Sequence, residues 1–255
     1  MRPIFIVASN TFREIIRDRV LYGILIFALL LFGLSIALGQ LSFAEQSRIA
    51  ANFGFAAIQM SAVVLSIFVG STLVGREIDK KTILTLLVRP ITRTQFLIGK
   101  TIGLLMVIAV SIALLSTALG IILTFAGYPP NLVFMVALHG IILEAMVLLA
   151  FTLFFGSFAS PMLSVSFVIG IFLIGHWVAS LKFFIDKSSN DLFRIMGEFM
   201  IAVMPNLEVF NWRGLFVYAD VAPLKPFLWA NVYTAAWMLF LVTLSAAILS
   251  RRDLG

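Results

Sequence analysis

The sequence predicts an all-α membrane protein. It should hold six transmembrane helices, an N-terminal interfacial helix, a short helix in a polar loop, and further short helices before the last span. Three observations carry this. The 255 residues are 62% hydrophobic and 12% charged, with a mean hydropathy of +1.11. A soluble domain is about 45–50% apolar and about 25% charged, so there are too few polar side chains to cover a water-facing surface. The charges are gathered into islands between charge-free runs long enough to cross a bilayer. Clusters of Gly, Pro, Asn and Ser divide the runs that are too long for one helix.

The elements follow in order. Residues 1–19 carry charge throughout and no continuous apolar core, which excludes a signal peptide. Apolar positions 5, 8, 12, 15 and 16 fall at helical spacing with charge opposite, the pattern of a helix lying in the membrane interface. The plainer reading is an extension of the first span. Charge-free runs at 20–44 and 49–75 make spans one and two, with 20–38 crossing in the first. A polar island occupies 76–100. Residues 101–181 then contain a single charge, Glu144, and are long enough for three spans. Gly127-Tyr128-Pro129-Pro130-Asn131 ends the third, and Gly156-Ser157-Phe158-Ala159-Ser160-Pro161 the fourth. Residues 182–225 are polar, and 226–250 form the sixth span, stopped by Arg251-Arg252-Asp253. The whole, 1–255, reads as one transmembrane domain.

Six spans put both termini on one side. The faces bearing the termini, the island and the turn between spans four and five carry 12 Lys and Arg residues, against six on the other. The positive-inside rule therefore places both termini and the island in the cytoplasm. The net charge of +6 is spread over interhelical loops rather than one patch, so orientation explains it better than nucleic acid does. Cysteine is absent, which excludes disulfides, thiolate metal sites and Cys nucleophiles.

The island holds six of the 18 basic residues and two of the 12 acidic ones. Thr92-Arg93-Thr94-Gln95 fits a capping box that opens the third span just after Arg89-Pro90 forces a turn. Before it, residues 82–88 form a short helix-capable piece with Ile83, Leu84, Leu86 and Leu87 apolar. A short helix between two rigid spans is a lever, although a loop that only fixes topology would look alike. On the other side, Ser188-Ser189-Asn190 offers caps before a helix over 191–204, with 192, 195, 196, 199, 200 and 203 on one apolar face and Pro205 ending it. That segment lies on the outer surface or dips between helices as a lid.

The run Glu77, Lys81-Thr82, Leu86-Leu87, Arg89-Pro90-Ile91, Arg93, Phe96-Leu97 and Gly99-Lys100 resembles the cytoplasmic loop of ABC-2-type transporter permeases. The likeness extends to the order of elements along the whole chain. Pro205-Asn206-Leu207-Glu208-Val209-Phe210-Asn211 resembles the branch that includes permeases linked to multicopper-enzyme maturation and gliding motility. One departure is Lys81, where the family usually has Gly before Thr. The resemblance implies a coupling helix in the island that docks into a separate cytoplasmic ABC ATPase dimer, with Glu77, Thr82, Leu86, Leu87 and Arg89 as contacts. Residues 157–162 would be a lesser contact. It further implies a second permease chain, identical or related, a bacterial or archaeal inner (plasma) membrane, and room for a periplasmic accessory protein. ATP and Mg would be bound by the partner, leaving this chain with no cofactor and no catalysis of its own.

Other motifs narrow the chemistry. No Gly-x-x-x-x-Gly-Lys-Ser/Thr loop is present to cradle phosphates, and no His-Glu-x-x-His. Glu144 is the one acid at membrane depth, where a charge costs at least about 2.5–3.5 kcal/mol, so it must be protonated, paired or facing water. It reads either as a substrate-pathway or proton-coupling residue, or as a neutral carboxyl hydrogen-bonded to another helix, with Gln59 in the second span as partner. Met196, Met200 and Met204 fall at i, i+4, i+8, which suits soft Cu(I) and suits hydrophobic packing more often. His139 and His176 read as helix-packing or interfacial residues. Gly99-x-x-x-Gly103 and Gly156-x-x-x-Ser160 allow close helix approach. Among Trp177, Trp212, Trp229 and Trp237, Trp229 is the best-placed interfacial anchor.

Two function classes stand. The first is an ABC-2 permease subunit, an exporter driven by a separate ATPase subunit through its cytoplasmic coupling helix. The second is a gradient-driven carrier using Glu144, or a structural membrane protein with no ATPase. The substrate is not legible in these residues.

Overall fold

The computed structural model describes residues 2–40, 46–72, 92–218 and 224–251. Among them the chain is helical, without strands. Helix α1 spans Arg2–Ile16 and α2 spans Arg19–Gln40. Helix α3 spans Gln46–Val64 and continues through a π-helical turn, Leu65–Val69. Helix α4 spans Arg93–Phe125, α5 Leu132–Gly156 and α6 Pro161–Lys187. Helix α7, Asp191–Val203, leads into a 3-10 turn, Leu207–Phe210, then α8, Arg213–Tyr218, and α9, Leu224–Arg251. Five of these helices are long and apolar enough to cross a membrane, and six if α1 and α2, bent by 58° at their junction, count as one broken span.

Helix starts and stops follow local chemistry. Thr92 caps α4 with a complete capping box: its side chain accepts from Gln95 N, and Gln95 Oε1 accepts from Thr92 N. Asn131 caps α5 and Asn190 caps α7. Gly127, at φ +80°, follows the Ala126 cap that ends α4, in the left-handed region that glycine tolerates. Pro161 sits in the first turn of α6, where its missing N–H costs nothing.

The third span begins at Arg93, where the capping box in the sequence opens it, whereas the fifth runs past 181 and through Lys182 to Lys187. Charge at a helix end does not stop a helix, because Lys182, Asp186 and Lys187 are exposed while Ile185 stays buried. The buried face of α1 is Val7, Ala8, Thr11 and Ile15, and Phe5 is exposed. The face turned inward is the one that meets α4, where small residues matter more than hydrophobic ones. A Cβ on Gly99 would lie 2.7 Å from Val7 Cβ and 2.9 Å from Ile4 O, and one on Gly103 would lie 2.7 Å from Ala8 O. The small-residue spacing on α4 is thus the seat of α1.

Helix α5 is the innermost, packed against α3, α4, α6, α8 and α9. Two apolar clusters flank it. One joins α1–α5 and Phe216 of α8, and the other joins the α3 π turn, α5, α6, the 3-10 turn and α9. Helix α7 turns the apolar face expected for it outward, with Leu192, Ile195, Met196 and Phe199 exposed, and packs on α6 with Gly197 seated on Ile185. Met204 is its extended C-cap, so the methionine stripe breaks there, with Met196 exposed and Met204 against the second cluster.

Candidate functional site

The segment after α7 folds back into the bundle. Pro205 and Leu207 are buried against Gly175 of α6, where an added Cβ would stand 2.8 Å from Pro205 O and 2.7 Å from Leu207 Cγ. On α5, a Cβ on Gly140 would collide with Phe210 O. Two glycines, one on each wall, therefore make the groove that admits this re-entrant turn. Trp212 and Phe216 then bury themselves, Phe216 in an aromatic cluster with Phe55, Phe134 and Tyr128 at 5.5–5.6 Å.

The turn delivers Arg213 to a buried polar chain. Arg213 Nη1 donates to Gln59 Oε1 at 2.9 Å, and Gln59 Nε2 donates to Glu144 Oε2 at 2.7 Å. The order is forced, because a guanidinium only donates and so selects the amide oxygen. Glu144, 2% exposed, turns Oε1 toward His176 Nε2 at 3.6 Å, with no hydrogen-bond partner for that oxygen among the described residues. His176 Nδ1 faces the Phe172 carbonyl at 3.1 Å, which can only accept, so Nδ1 carries a proton. Four elements meet here: α3, α5, α6 and α8.

Below the cluster, the π turn of α3 sets Ser66 Oγ 3.1 Å from Ala145 O, one residue past Glu144. Single π turns often mark functional places in a helix. At the face bearing the chain ends, Arg93 Nη1 donates to Leu249 O at 2.7 Å and lies 3.4 Å from Ser250 O. Lys100, nearly buried, pairs with Glu14 at 3.5 Å and lies over the Phe96 ring. The first two turns of α4 are thereby tied to α9 and α1.

The structure brings Gln59 and Glu144 together. Glu77, Thr82, Leu86, Leu87 and Arg89 lie outside the described residues. In the turn at 157–162, Ser157 is buried and Met162 exposed. His139 packs as expected, with Nε2 3.0 Å from Asn231 Oδ1 and the ring over Phe227. His176, read as a packing residue, instead faces the carboxyl. In the sequence, Arg213 is one of the six Lys and Arg residues on the face opposite the termini. Its signal was present, since one cation lies between Trp212 and the apolar Leu215-Phe216-Val217, but nothing in that spacing names Gln59. Trp229 and Trp177 are exposed, whereas Trp212 is buried.

No match is found among the curated proteins. A family model described as ABC-2 family transporter protein matches residues 5–254, nearly the entire chain. The chain belongs to the ABC-2 family of transporter proteins.

Proposed function

We propose that this chain is the permease half of an ATP-driven exporter, moved by a separate ATP-binding subunit. The family match over residues 5–254 carries the reading. Both termini and the loop joining α3 to α4 lie in the cytoplasm, as the 12-to-six distribution of Lys and Arg supports. Two permease chains pair across an inner membrane, and an ATPase dimer engages Glu77, Thr82, Leu86, Leu87 and Arg89. Displacement of the loop reaches α4 directly and reaches α1 and α9 through Lys100 and Arg93. It reaches the buried cluster along α3. The test is ATP hydrolysis by the cognate ATP-binding subunit in proteoliposomes: the rate should change several-fold with this chain present, and an unchanged rate contradicts the reading.

A second reading, a gradient-driven carrier, is favoured by the Glu144 oxygen that faces His176 at 3.6 Å and has no hydrogen-bond partner among the described residues. Transport that continues without ATP and stops in Glu144→Gln would support it.

A further inference from the structure

Arg213 carries a permanent charge to membrane depth with no carboxylate in contact among the described residues. Its partner Gln59 lies eleven residues along the span that begins at Arg48. At 1.5 Å per residue that is about 16 Å, roughly half of a ~30 Å hydrocarbon layer. Glu144 is reached only across the whole Gln59 amide, and its other oxygen faces His176. A guanidinium has five N–H donors, and the described contacts use one. The same side chain lines a cavity of about 300 Å³ with Asn52, Phe53 and Ala56 of α3. That is the share of liquid volume taken by about ten waters. Asn52 and Ala56 lie two turns and one turn from Gln59 toward the start of α3, so the cavity extends from the charge toward the end of the span opposite the chain termini.

The geometry points to an anion-binding site between α3 and α8, where Arg213 and Asn52 hold a phosphate or carboxylate and Phe53 and Ala56 face the apolar part of the amphiphile bearing it. A guanidinium matches such groups with two parallel hydrogen bonds and offers nothing to a cation. The anion also places a negative charge in direct contact with the guanidinium, which no described carboxylate does. Phe53, 43% exposed, continues the wall as an apolar surface on which a hydrocarbon chain can lie. The site stands whether or not an ATPase drives the chain, because binding is read on the permease alone.

Calorimetric titration of the full chain in phosphatidylcholine nanodiscs with dioctanoyl phosphatidic acid tests this. Dioctanoyl phosphatidylcholine serves as the neutral-headgroup probe, and inorganic phosphate as competitor. The acid should bind, with the choline lipid and the Arg213→Gln variant weaker by about tenfold or more. Arg213→Lys should fall between. Displacement by inorganic phosphate assigns the site to a free anion, and its failure to displace assigns the site to the amphiphile. Asn52→Leu leaves the Arg213–Gln59 bond intact and should also weaken binding, so the test survives an Arg213→Gln chain that does not fold. Absence of binding by the native chain, or equal binding in the folded variants, overturns the proposal.

Discussion

Arg93 Nη1 lies 2.7 Å from the Leu249 carbonyl oxygen, so the first turn of α4 holds the last turn of α9. The contact joins the helix that follows the polar loop to one far away in sequence. It also places a cation on the carbonyl end of α9, where the helix dipole welcomes it. Arg93→Ala removes this half-buried bond, and thermal denaturation in detergent should show a loss of about 1 kcal/mol. The larger effect should be on coupling, with the ATPase response to this chain weakened while the chain remains folded.

Gly99 and Gly103 leave no room for side chains beneath α1. Gly99→Val or Gly103→Val should displace that helix at a cost of about 1–3 kcal/mol. The chain has no cysteine, so introduced pairs report without background. Cysteines replacing Glu14 and Lys100 should be joined by a short bifunctional maleimide in the otherwise native chain, and much less once Gly99→Val is added.

Gly140 and Gly175 admit the re-entrant turn between α5 and α6. The obstruction at Gly140 is the Phe210 carbonyl oxygen, which is backbone and cannot rotate away. Gly140→Val should therefore lower the melting temperature by several degrees, consistent with overpacking costs of about 1–3 kcal/mol. It should also make Cys at position 213 far more reactive to water-soluble maleimide than in the Gly140 background.

Glu144→Gln retains an acceptor for the Gln59 amide and should melt close to the native chain. Glu144→Leu strands that amide in the bundle and should cost about 1–3 kcal/mol. Equal melting of the two variants would show that the Gln59–Glu144 bond contributes nothing.

The spans were legible because charge-free runs and turn residues report burial in lipid directly, and the α4 capping box because a cap is written in four adjacent residues. Gln59 and Glu144 could be matched because each is a strongly polar side chain deep in an apolar span. Arg213 and His176 could not be added to them. Their places depend on how far the chain re-enters after Pro205 and on the rotation of α6, and both are set by tertiary packing against Gly140 and Gly175. On α1, hydrophobicity marks Ala8, Phe12, Ile15 and Ile16, which pack inward, and Phe5, which does not; close packing on two glycines adds Val7 and Thr11.

The proposed function requires that another chain's ATP hydrolysis act on this one through the loop between α3 and α4. Affinity purification of the full-length chain from its native membrane tests it most directly. An ATP-binding subunit should be recovered in stoichiometric yield, and lost when Glu77→Lys or Arg89→Glu reverses a charge in the loop of a folded chain. Recovery of the native chain without such a subunit, or retention of the subunit in both variants, would contradict it.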